Sequence, residues 1–145
     1  MPAAIDEQTA KARTIKLTLT LPLPPRELSP NARLHHFPKA EVTKEYRRRV
    51  YIQCMIQRGE WGRRETGRYL VTETYRFADR RKRDVRNLFA AFKAGEDGLV
   101  DAGIIPGDDD SVLEHGAPKI QRVSGKKDEC VVVEIEEIPL LTYES

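Results

Sequence analysis

Residues 68–102, RYLVTETYRFADRRKRDVRNLFAAFKAGEDGLVDA, decide the fold because the pattern changes period partway along. Residues 68–77 alternate apolar and polar side chains, the period of a half-buried strand. Beyond the basic run Arg80 to Arg83 the period becomes helical. Val85, Leu88, Phe89, Phe92, Leu99 and Val100 supply an apolar side, and a helix is expected from about Asp84 to Ala102 with Asp84 as its N-cap. Gly95 and Gly98 each weaken such a helix by ~1 kcal/mol against alanine, which implies close packing or a kink there. Gly103 closes it.

Upstream, residues 14–21 (TIKLTLTL) read as a strand with Ile15, Leu17, Leu19 and Leu21 inward. Pro22, Pro24 and Pro25 end it, since proline cannot donate to a ladder. A loop passes Ser29, Asn31 and Pro38. A helix follows from about Ala40 to Arg58, with Val42, Tyr46, Val50 and Cys54 on one face, Arg47 and Arg48 off it, and Gly59 as its stop. Downstream, a Pro106-Gly107 turn and Asp108 to Asp110 precede two strand candidates, Lys119 to Val123 and Cys130 to Ile138. Residues 1–13 read as a flexible tail and 14–145 as one domain, since 145 residues suit a single core. Strands and helices without regular βαβ alternation predict an α+β class, a small mixed or antiparallel sheet with two main helices on one face.

A net charge of +2 conceals segregation. Arg47 to Arg49, Arg63-Arg64 and Arg80-Arg81-Lys82-Arg83 are basic, whereas Asp108 to Asp110 and Glu134 to Glu137 are mostly acidic. The separation suits a surface that grips phosphates beside a pocket that holds a cation; solvated helix faces are the plainer account of any single run. No segment has the ~20 apolar residues that a bilayer requires, and no signal-peptide core opens the chain, so a cytoplasmic protein without a membrane partner is expected. Cys54 and Cys130 lack metal-ligand spacing and read as free thiols, with a disulfide as the alternative.

Chemistry concentrates in residues 80–110. Hydrolysis of a phosphodiester with Mg²⁺ calls for hard carboxylate ligands, and Asp84 at one end of a helix with three aspartates beyond the other offers them. By spacing alone, an N-cap followed by a charged surface turn fits equally well. Lys93 and Asp97, four apart, share a helix side with Arg86 and can pair, either beside a scissile phosphate or as an ordinary surface ion pair. His35 and His36 have no partner spacing for zinc; contact with DNA and an idle loop position are both open, and His115 is similar. Trp61 reads as packing over a helix end rather than stacking on a base.

Asp84-Val-Arg-Asn87-Leu88, Lys93-Ala-Gly-Glu-Asp97-Gly98-Leu99, Gly103-Ile104 and Asp108-Asp109-Asp110 together resemble the RusA-like crossover-junction endodeoxyribonucleases common in prophages. Weaker likenesses in the proline-rich exit of the first strand, the Tyr46-Arg47 helix and residues 131–138 extend the resemblance over about residues 14–138. It implies a homodimer that binds four-way DNA junctions and nicks them in symmetric pairs with Mg²⁺ or Mn²⁺, in DNA recombination and repair. It further implies Asp84, Lys93 and Asp109 as catalytic residues, Asp84, Asp109 and Asp110 as metal ligands, and Asn87 and Asp97 as supports. Arg47, Arg48, Arg80, Arg81, Lys82, Arg83, His35 and Lys119 are expected to contact DNA. One position departs from the pattern: Arg86 stands where the family has a second aspartate. Either another acid completes the site while Arg86 clamps phosphate, or the protein binds junctions and cuts them poorly.

Overall fold

The protein's structure, a computed structural model, describes residues 15–30 and 39–139. The tail expected over 1–13 and the loop carrying His35 and His36 lie outside the described residues. The elements are β1 (Lys16–Leu21), α1 (Lys39–Gln57), β2 (Arg68–Phe77), α2 (Val85–Ala91), α3 (Lys93–Asp101), β3 (Leu113–His115), β4 (Lys119–Arg122) and β5 (Cys130–Ile138). The class is α+β, with one five-stranded mixed sheet in the order β1-β5-β2-β3 and β4 also on β2. β5 lies antiparallel to β1 and to β2, with Val133 facing Leu19 on one side and Glu73 on the other. β3 and β4 follow one another along the far edge of β2, both parallel to it.

Alternation sets the core. Leu17, Leu19 and Leu21 of β1, Tyr69, Val71, Tyr75 and Phe77 of β2, and Val131, Val133 and Ile135 of β5 are all buried in one cluster. Each fully buried aliphatic side chain contributes about 1.5–3 kcal/mol relative to exposure. α1 adds Tyr46, Val50 and Cys54 to that cluster, with Val42 half-buried beside them. Two anchors fix α1 against β1: the Tyr46 hydroxyl donates to the Pro22 carbonyl at 2.6 Å, and the Gln57 amide exchanges hydrogen bonds with the Thr20 backbone, 2.8 Å in each direction. Trp61 packs as expected, buried with its indole N–H donating to the Ile104 carbonyl at 2.9 Å.

Three expectations change. Ile15 is 58% exposed rather than inward, because β1 begins at Lys16 and the core ends at Leu17. The helix expected from Asp84 to Ala102 is two helices that meet at Phe92 (φ −79°, ψ −1°). There the ring drops into the core, 6.4 Å from Tyr46 edge to face, and a Cβ on Gly95 would lie 2.5 Å from it. The Phe92 N–H divides between the Leu88 and Phe89 carbonyls, so α2 ends in a tightened turn. The short β3 was not anticipated. Gly98 does mark close packing: a Cβ there would approach the Arg47 carbonyl at 2.8 Å, which lets α3 lie directly on α1.

Candidate functional site

Asp84 caps α2 as expected, its carboxylate accepting from the Arg86 N–H at 2.9 Å. The residue lines a groove of about 1210 Å³ between the proline-rich exit of β1 and the start of α2. Asn87, Arg26, Arg81, Lys82, Arg83 and Lys126 line the same groove. Arg83 is also a structural pin: it donates to Asp79 at 2.7 and 3.1 Å and stacks on the Phe77 ring at 3.6 Å. That guanidinium holds the Asp79 carboxyl well below the usual carboxylate range. Arg86 projects into solvent with its Nε 3.7 Å from Asp84. Of the other expected DNA contacts, Arg48, Arg80 and Lys119 are exposed. Arg47 is engaged within the fold, by a two-pronged pair with Asp101 at 2.6 and 2.8 Å.

Lys93, at the start of α3, meets Asp97 at 3.1 Å and Asp108 at 2.5 Å. The spacing predicts the first contact; the second assigns a position within the aspartate run. Asp108 is the member of the run that turns to Lys93, while Asp109 and Asp110 were expected as metal ligands. The Asp109 carboxylate instead accepts from the Ser111 N–H at 2.9 Å and from its hydroxyl, closing an Asx turn. Hydrogen bonding to Asp108 raises the Lys93 pKa, and the same bond lowers that of Asp108, so this pair is ionised at neutral pH. Hydrogen bonds from Ser111 likewise lower the Asp109 carboxyl. No hydrogen bond or ion pair among the described residues joins Asp84 to this cluster.

Among the described residues the one trio of acid, histidine or cysteine donors within 4.8 Å of one another is Glu73, Glu96 and His115. Asp84, Asp109 and Asp110 form no such trio. Glu73 comes from the core face of β2, Glu96 from the buried side of α3 and His115 from the end of β3. Glu73 is 2% and Glu96 7% exposed. The His115 Nε2 lies 2.5 Å from the Glu96 carboxylate, and the Tyr75 hydroxyl donates to Glu73. Burial pushes the Glu73 carboxyl up to about 7 despite that hydrogen bond, and burial also raises Tyr75. Sequence reasoning missed this trio, although the signal was present. Glu73 has the parity of Tyr69, Val71, Tyr75 and Phe77, and Glu96 sits four after Phe92 and three before Leu99.

No family model matches the chain. A protein of Xylella fastidiosa, whose name, "Uncharacterized protein", attaches no activity to it, is 34% identical over 88 residues. The match takes in 59% of this chain and 56% of that protein, so the chain spans about half the length of the curated relative it matches. No helix among the described residues is long and apolar enough to cross a membrane.

Proposed function

We propose that the protein is a metal-dependent endonuclease of the RusA-like kind, which binds branched DNA in the cytoplasm and nicks it in recombination and repair. One observation carries the reading. The groove that holds Asp84 and Asn87 is lined by Arg26, Arg81, Lys82 and Lys126 alongside Glu27, Glu129 and the Arg83–Asp79 pair, so the motif's acid has cations beside it that could contact phosphate. Lys93 is not part of that groove's lining and is held by Asp97 and Asp108; its pairing with Asp108 keeps it an ammonium, which in this reading would serve the phosphate. Mg²⁺ or Mn²⁺ is required by the chemistry, without a seat assigned at Asp84, Asp109 and Asp110. A two-fold homodimer would set two such grooves on opposing strands, and exposed Ile52, Met55 and Ile56 on α1 offer it an apolar face.

A second reading, junction binding without cutting, is favoured by Arg86, whose guanidinium stands beside Asp84 where the family has a carboxylate. A synthetic four-way junction separates the two. With Mg²⁺ or Mn²⁺ the wild-type protein should give paired symmetric nicks, and Asp84→Asn should bind without nicking. Binding without nicking, with nicking gained in Arg86→Asp, establishes the second reading. No preference for the junction over a linear duplex overturns both.

A further inference from the structure

We propose that Glu73, Glu96 and His115 bind one divalent transition-metal ion, of the Zn²⁺ or Mn²⁺ kind, inside the fold between the sheet and α3. Three elements distant in sequence deliver two carboxylates and one imidazole to within 4.8 Å of one another. Donors around an ion with bonds of about 2.0–2.2 Å stand roughly 3–4 Å apart, close to the separation the trio already has. The inference stands apart from the nuclease reading, because it concerns ion uptake by the protein without DNA.

The second observation is the state of Glu73. One of its oxygens accepts from the Tyr75 hydroxyl; the other accepts no hydrogen bond among the described residues, in a side chain that is 2% exposed. A buried carboxylate oxygen without a donor is costly, and here a second buried carboxylate, Glu96, faces it. The nearby ammonium does not resolve this. Lys93 lies 3.9 Å from Glu96 but is held more closely by Asp97 and Asp108. Three acids thus share one lysine, and Glu73 has no ion pair with it, so the cluster is short of positive charge at its buried end.

The surroundings are those of a ligand shell. The Tyr75 hydroxyl orients Glu73, and the Phe89 ring packs edge-on against His115 at 5.0 Å between centroids. The donor set selects the ion. Imidazole beside carboxylates suits zinc and its neighbours, whereas Mg²⁺ keeps to oxygen and to water. A proton shared among the three side chains is the rival way to neutralise them.

The test uses the full chain, stripped with chelator and titrated with Zn²⁺ by calorimetry and with Co²⁺ by visible absorption. One equivalent should bind, with cobalt bands of nitrogen and oxygen ligation. Glu73→Gln and His115→Gln should each weaken uptake by about tenfold or more. Asp84→Asn and Asp109→Asn should leave it unchanged. Glu73→Gln keeps the acceptor for Tyr75 and removes the buried charge, so the variant should fold, as circular dichroism would report. Zn²⁺ should raise the melting temperature of the wild type and not of Glu73→Gln. His115→Gln, at a partly exposed strand end, provides a second variant independent of core packing. Absence of uptake by the wild type, uptake unaffected in both variants, or uptake lost in Asp84→Asn would each overturn the site and leave the proton as the answer.

Discussion

Lys93 is the one cation among the described residues shared by Asp97, Asp108 and Glu96, and its removal should be felt at both ends of that cluster. Lys93→Met is expected to slow junction nicking by about 10²–10³-fold, the range for loss of one preorganised charge at a developing anion, with junction binding changed far less. Gel-resolved cleavage beside a binding titration measures both; parallel losses would mean that Lys93 only holds DNA. Asp108→Asn should lower nicking more than Asp110→Asn, because Asp108 alone of the run fixes the ammonium. Trp61 tests packing rather than chemistry. Trp61→Phe keeps the ring in the core and strands the Ile104 carbonyl, at a cost of about 1–3 kcal/mol by denaturant unfolding. Burial pushes the Cys54 thiol up to about 12, so it should resist alkylation in the native protein.

At the scale of elements, the contact between α1 and α3 rests on a missing side chain. Gly98→Ala would drive a methyl against the Arg47 carbonyl and Val50, and overpacking of this kind costs about 1–3 kcal/mol. A lowered melting temperature with an unchanged circular dichroism spectrum is the expected result. The same helix pair carries a pH-dependent bond. Hydrogen bonding from Arg47 holds the Asp101 carboxyl below its usual value. The folded state therefore releases the Asp101 proton more readily than the unfolded chain. This stability is present above the ordinary carboxylate range and is lost as pH falls through the depressed value. For an exposed pair it is worth about 0.5 kcal/mol, and Asp101→Asn should flatten that part of the acid limb. Elements whose periodicity repeats over many residues were legible: β2 and β5 span the expected residues, and α1 buries Tyr46, Val50 and Cys54. The break at Phe92 was not, because Tyr46 and the core draw that ring inward from outside the local sequence. β3 has three residues and exists only through its pairing with β2, so no local period announces it. In the site, the spacing announces the Lys93–Asp97 pair, while the meeting of Glu73, Glu96 and His115 depends on packing between elements that no spacing encodes.

For the molecule as a whole, the sheet has two edges among the described residues, and each carries a feature that discourages further pairing. On one, β3 and β4 share the flank of β2, and the segment between them contains Pro118, which has no N–H to offer. On the other, the N–H and carbonyl of Thr20 both pair with the Gln57 side chain rather than with a neighbouring strand. Gln57→Ala would free that pair of groups, costing about 1–2 kcal/mol by thermal unfolding and raising light scattering at high concentration. Retained stability and solubility in the variant would mean that the amide is ornamental. If it is not, the helix that roofs the core also keeps copies of the protein from joining sheet to sheet, and Gln57 behaves as a one-residue strand that cannot be extended.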